Sequence, residues 1–97
     1  MRVLKGVLEF DWDTGNKGKN KKHGVEDGES EEAFFDEKKV ILKDVLHSAR
    51  EPRFILLGRT KKNRLLFIVF TMRGKKLRMI SARDVSRKEK YLYEKEA

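Results

Sequence analysis

Arg64-Leu65-Leu66-Phe67-Ile68-Val69-Phe70-Thr71 is the most apolar stretch of the chain, and its reading decides the fold. Leu65 to Phe70 runs without a polar residue, is rich in branched and aromatic side chains, and is too short for a buried helix, so it predicts a strand at the centre of a sheet. Upstream lies Arg53-Phe54-Ile55-Leu56-Leu57-Gly58-Arg59-Thr60, a second strand-like run. Only Lys61-Lys62-Asn63 separates the two, which reads as a hairpin. Downstream, Arg73-Gly74-Lys75-Lys76 is the next turn and Leu77 to Ala82 the next strand, so three consecutive antiparallel strands are expected. Pro52, having no amide donor, marks a strand boundary.

Working outward, Val40 to Leu46 is rich in Val, Ile and Leu and predicts a further strand. Met1 to Phe10 predicts the first strand, with Leu4, Leu8 and Phe10 on one face and Val3 and Val7 on the other. Thr14 to Lys22 is read as a short helix capped by Asp13 and closed by Gly24, weakened by Gly15 and Gly18. Val25 to Glu29 is read as an acidic loop. Ser30 then caps a second helix with Glu31 and Glu32 in its first turn, and Ala33-Phe34-Phe35 forms its buried side. Ser86-Arg87-Lys88-Glu89 has the spacing of a capping box and starts a C-terminal helix reaching about Tyr93. The expected architecture is α+β: an antiparallel β-sheet with two N-terminal helices and a short C-terminal helix, in a single domain spanning residues 1–97.

Composition narrows the chemistry. The 97 residues contain no cysteine, which removes disulfides, thiolate catalysis and cysteine-ligated zinc. Met1-Arg2-Val3-Leu4-Lys5 lacks the apolar stretch of a signal peptide, and no segment approaches a membrane span, so a cytoplasmic protein without membrane association is expected. The net charge is +8, and it is unevenly spread: residues 1–49 carry −2 and residues 50–97 carry +10. A concentrated basic field attracts polyanions and makes their binding salt-dependent. A lysine- and glutamate-rich solvated surface would show the same total.

RNA can be cut without a metal when the 2′-hydroxyl is deprotonated, the phosphate is stabilised by cations and the departing oxygen receives a proton. Histidine suits the proton steps and the planar fork of arginine suits phosphate. His23, preceded by Lys22, is the candidate for proton transfer, although a histidine beside Gly24 would equally serve the last carbonyls of a helix. Arg59, Arg64, Arg73, Arg78 and Arg83 all fall on or beside the three-stranded meander and can converge on phosphate. Arg78 and Arg83 lie on opposite faces of a regular strand, so a shared surface requires a bulge or a strand ending near Ala82. Trp12 can stack on an unpaired base, with Arg59 and Arg73 as further RNA contacts. His47 is read as structural. Two histidines without metal-ligand spacing, no glycine-rich phosphate loop and no Ser-His-Asp order leave no metal site and no cofactor to expect.

Phe10-Asp11-Trp12-Asp13, Asn20-Lys21-Lys22-His23-Gly24-Val25 and Glu32-Ala33-Phe34-Phe35-Asp36 resemble the opening of BrnT-type toxins from bacterial toxin–antitoxin pairs. The second half agrees through His47-Ser48, Arg53-Phe54, Gly58, Arg64-Leu65-Leu66, and Arg78-Met79-Ile80-Ser81-Ala82-Arg83 followed by Arg87, Glu89 and Tyr93. The resemblance implies a RelE-like ribonuclease fold that arrests growth by cleaving RNA. It implies a cognate antitoxin with a ribbon-helix-helix DNA-binding part, and a complex of the two that binds operator DNA. It also implies an active site at Lys22, His23, Arg64, Arg78 and Arg83. The alternative is a non-catalytic module of the same fold that binds nucleic acid or antitoxin.

Overall fold

The computed structural model describes residues 9–44 and 51–96. Within these residues five strands form one sheet in the order β1-β5-β4-β3-β2: β1 (Glu9–Phe10), β2 (Val40–Lys43), β3 (Arg53–Arg59), β4 (Leu65–Arg73) and β5 (Lys76–Asp84). The meander is as expected, with β3, β4 and β5 antiparallel in succession and β2 antiparallel to β3. The sheet as a whole is mixed, because β1 pairs parallel to β5 through Glu9↔Lys76 and Phe10↔Leu77. Chain direction causes this. A strand leaving at Phe10 and returning to the sheet only at Val40 has no hairpin to reverse it. The rest of the expected first strand, and His47, lie outside the described residues.

Both hairpins rest on residues that tolerate left-handed backbone. Asn63 has φ 68° and Gly74 φ 62°, the conformation that lets tight turns close without a steric penalty on a bulky Cβ. The unbroken apolar run of β4 follows from its position, since both faces of this strand are covered. Leu66, Ile68 and Phe70 pack with Leu56, Leu77, Met79, Ala82, Val25, Ala33 and Phe34 on one face. Leu65 packs with Leu57 and Tyr93 on the other, joined by Ile55, Phe67, Val85 and Leu92.

The N-terminal helical content differs from expectation. Among the described residues only one α-helix precedes the meander, α1 (Asp27–Phe34), and residues 14–18 make turns before a five-residue 3₁₀ helix at Lys19–His23. The two glycines decide this: Gly18 takes φ 69°, which an α-helix cannot accommodate, and Asp13 Oδ1 accepts from Gly15 N at 2.8 Å to make a turn instead of a cap. Gly24 does close the 3₁₀ helix in left-handed conformation. α1 begins three residues earlier than its expected cap. Glu29 Oε1 accepts from Glu26 N at 3.0 Å, so a glutamate pair fills the capping role, while Ser30 is fully buried inside the helix. Ala33 and Phe34 are buried as expected, whereas Phe35 is 68% exposed. α1 lies so close to β3 that a Cβ on Gly58 would run into the Ala33 carbonyl.

α2 (Arg87–Glu96) extends past Tyr93 and starts with the expected capping box: Ser86 N donates to Glu89 Oε1 at 2.8 Å and Glu89 N to Ser86 Oγ at 3.3 Å. It covers the second face. The Tyr93 hydroxyl donates to Asp36 Oδ2 at 2.6 Å, tying this helix to the segment after α1. β5 carries a bulge: Val69 pairs with Ser81 and Phe70 with Met79, leaving Ile80 as the extra residue. Leu77, Met79 and Ala82 therefore all face the α1 side, and Arg78 and Arg83 share the opposite face.

Candidate nucleic-acid interface

Residues 11–24 form a strap that leaves β1 and follows the edge of β5. Asp11 N donates to the Leu77 carbonyl at 2.8 Å, and the buried Asn16 amide donates to the carbonyls of Asp11 and Met79 at 2.9 Å each. Asn16 Oδ1 accepts from Asp13 N at 2.8 Å. Asp27 accepts from Gly18 N at 2.9 Å and so holds the middle of the strap to the start of α1. Lys17, Lys19, Lys21, Lys22 and His23 point from this backbone into solvent. A lysine-rich loop that would repel itself is thus fastened at intervals to the sheet and to α1.

At the far end of the strap sits Arg64. Its guanidinium donates from Nε and Nη2 to Asp84 at 2.7 and 3.0 Å, from Nη1 to the Gly24 carbonyl at 2.7 Å and to Glu29 at 3.3 Å, and from Nη2 to the His23 carbonyl at 3.5 Å. An arginine has five N–H donors, and these contacts use all five. Arg64 is therefore a clamp that fixes the His23–Gly24 turn against β5 and α1. The same contact holds the Asp84 carboxyl below the usual carboxylate range.

At the near end, Arg78 donates from both terminal nitrogens to Asp13, at 3.0 and 2.9 Å, with Asp11 3.6 Å away. The fork on Asp13, helped by the Gly15 amide, pulls the Asp13 carboxyl below its ordinary value. Two donors are used in the fork, so Arg78 keeps others for a ligand. It lines an open cleft of about 180 Å³ with Gly15, Lys19, Glu51, Arg53, Arg73, Met79 and Ile80. A Cβ on Gly15 would sit 2.8 Å from Arg78 Nη2, so a side chain there would displace the guanidinium. Four cationic side chains around one small opening suit a phosphate or a sequence of phosphates.

The remaining expected site residues lie apart. Arg83 forks onto Glu89 at 2.8 and 2.9 Å and stacks over Phe67 with its guanidinium carbon 3.9 Å from the ring centroid. Arg59 lies over the Tyr93 ring at 5.3 Å and lines a different cleft, about 540 Å³, with Glu31, Glu32, Phe35, Asp36 and Lys61. Trp12 Nε1 donates to Glu31 at 2.6 Å and its ring packs against the core. Thr71 pairs with Arg78, and it lies seven residues beyond Arg64, which is ~23 Å at the usual rise per strand residue. Arg64 and Arg78 thus cannot grip one phosphate. The structure groups Lys22 and His23 with Arg64, groups Arg73 with Arg78, and leaves Arg83, Arg59 and Trp12 elsewhere. Sequence reasoning missed Lys19, Arg53, Glu51 and Asn16. The odd-numbered lysines and the run of small turn residues around Asn16 were the available signals.

Among the described residues no group of three or more histidine, aspartate or glutamate side chains is placed to hold a metal ion, and no helix is long and apolar enough to cross a membrane. The fold and the cleft define a small α+β domain with a strongly cationic rim at one end of its sheet, the kind of surface that meets a phosphate backbone. Comparison with known families agrees with that class. Residues 12–89 match the family of the ribonuclease toxin BrnT of type II toxin–antitoxin systems, and the chain belongs to this family. Membership brings with it an antitoxin partner and an RNA substrate at the level of the family. A search of curated proteins gives no match.

Proposed function

We propose that the chain acts as a single RelE-like toxin domain in the cytoplasm, a metal-independent endoribonuclease that arrests growth by cutting RNA. The observation that carries this reading is the cleft in which Arg78, Arg73, Arg53 and Lys19 meet. Phosphate binds there to Arg78, whose guanidinium the Asp13 fork fixes in advance, so its ordering costs little when charge builds up on the crowded phosphorus. Lys22 or His23, exposed at the end of the strap, assists proton transfer. Arg64 and Arg83 act indirectly, Arg64 by clamping the turn that carries His23 and Arg83 by holding α2 to β5 through Glu89. Arg59 and Trp12 lie off the cleft and contribute RNA contacts only to a strand that wraps toward α1. The antitoxin brings a ribbon-helix-helix part, and the complex of the two binds operator DNA.

The test is incubation of labelled single-stranded RNA with the purified protein in excess EDTA, beside Arg78→Ala and His23→Ala proteins prepared identically. Cleavage by the wild type with cyclic-phosphate ends, lost in Arg78→Ala with its circular dichroism unchanged, is the expected result. Full activity in Arg78→Ala removes the cleft from the reaction. One observation favours a second reading, a non-catalytic binding module: the donors of Arg64 are fully consumed by the protein itself. Such a module would bind RNA with a steep salt dependence and leave it intact.

A further inference from the structure

The basic cleft holds one carboxylate among its described lining, and no close bond to it is seen among the described residues. Glu51 lines the opening together with Lys19, Arg53, Arg73 and Arg78. Elsewhere the arginines on or beside β5 meet their carboxylates in close bonds: Arg64 to Asp84 at 2.7 Å, Arg83 to Glu89 at 2.8 Å and Arg78 to Asp13 at 2.9 Å. Glu51 differs, lying 3.7 Å from Arg73 Nη2 with both side chains well exposed, a spacing too long for a hydrogen bond. A tight pair would hold Arg73 away from ligand and occupy the lone pairs of the carboxylate. A loose one leaves Arg73 able to turn to a phosphate and leaves the carboxylate oxygens able to accept a proton.

We propose that Glu51 is the general base of RNA cleavage at this cleft, taking the proton of the 2′-hydroxyl next to the phosphate that Arg73 and Arg78 hold. The inference rests on the ribonuclease reading. In this step the O–H bond breaks toward Glu51, the 2′-oxygen forms a bond to phosphorus, and the bond from phosphorus to the 5′-oxygen breaks with its electron pair leaving on oxygen. That oxygen takes a proton from the strap, where Lys22 and His23 follow Lys19 by ~6 and ~8 Å at the rise of a 3₁₀ helix. The products are a cyclic phosphate and a 5′-hydroxyl, and Glu51 returns its proton to water. The two proton steps thereby fall to different elements, the segment before β3 and the strap.

Single-turnover cleavage and binding are to be measured on wild type, Glu51→Gln and Glu51→Asp, with folding monitored by circular dichroism. Binding uses the same RNA carrying 2′-O-methyl groups, which cannot be cleaved. Glu51→Gln is expected to slow cleavage roughly 100-fold or more, the scale general acid–base catalysis contributes. It should bind the uncleavable RNA as tightly as wild type or more tightly, because it removes a negative charge from beside a phosphate. Glu51→Asp, which keeps the carboxylate, should recover part of the rate and also covers the case in which the glutamine variant fails to fold. A Glu51→Gln rate within about threefold of wild type overturns the proposal. So does slowing matched by weaker binding, which would make Glu51 a holder of Arg73. Wild type that leaves RNA uncut in EDTA overturns the ribonuclease reading and this inference with it, whereas an active Glu51→Gln protein overturns this inference alone.

Discussion

Replacing Arg64 by alanine removes the clamp between the strap, α1 and β5, and the size of the loss can be worked out from its partners. The Arg64–Asp84 pair is largely solvent-facing, with the Asp84 side chain 63% exposed, so it contributes at most about 1 kcal/mol. The contact with Glu29 is longer and contributes less. The bond to the Gly24 carbonyl, a charged donor on a backbone acceptor at 2.7 Å, contributes about 1.5 kcal/mol or more. Together these give about 2–3 kcal/mol, which for a domain of this size corresponds to a melting temperature lower by roughly 10–20 °C. Thermal and urea denaturation monitored by circular dichroism measure it. Arg64→Lys, which keeps the charge but not the fork, should recover less than half. A melting temperature within about 4 °C of wild type in Arg64→Ala would refute the clamp, and the activity of that variant would then have to be explained by direct contact with RNA.

Gly15→Ala should weaken RNA binding several-fold with little change in melting temperature, because the new Cβ meets Arg78 Nη2 at 2.8 Å and pushes the guanidinium from the cleft; titration with uncleavable RNA and a melting curve check both halves. Asp36, Asp84 and Glu89 have carboxyls held below their ordinary values. For Asp36 burial opposes this, but the Tyr93 hydroxyl and the amides of Arg59 and Lys38 outweigh it, while Arg64 and Arg83 dominate for Asp84 and Glu89. Lowered native values mean stability that is present above the usual carboxylate range and lost as the pH falls through them, so unfolding in urea should become easier below about pH 4. Tyr93 behaves in the opposite sense. Burial and the Asp36 carboxylate push its hydroxyl up to about 12, so its contribution is complete below pH 10 and disappears between there and pH 12. Tyr93→Phe should lower stability at neutral pH by about 1.5 kcal/mol and abolish that alkaline loss.

The sheet was legible because its signals are local. Lys61-Lys62-Asn63 and Arg73-Gly74-Lys75-Lys76 announce hairpins, and the run from Leu65 to Phe70 between them fixes the central strand. The parallel pairing of β1 was not legible, since nothing in two residues records which end of β5 they will meet. The strap misled for a related reason. Lysines spaced through residues 17–22 suit a helix by propensity, and the outcome turned on Gly18 and on Asn16, whose side chain bonds to the Met79 carbonyl 63 residues away. For the site, residue type indicated arginine and phosphate correctly but not which arginines still had donors to offer. That depends on Asp84, Glu29 and Glu89 arriving from elsewhere in the fold. Glu51 could not be singled out, because a glutamate acquires meaning only from the cations the sheet brings around it.

The bulge at Ile80 makes five residues of sequence count as four. With it, Arg83 emerges over Phe67 and Ala82 points inward; were all the residues paired regularly, every residue on one side of Ile80 would change sides. Regular pairing of the full segment would drive a guanidinium into the space of an alanine methyl or turn Arg78 away from Asp13, whereas deleting Ile80 would remove the bulge and leave both arginines on their face. The bulge thus sets the parity of the segment, and a change of length preserves the two faces only where the bulge is gained or lost with it. Related chains should therefore vary freely in the length of their turns while keeping Arg78 and Arg83 on one face, either with five steps and a bulge or with four and none.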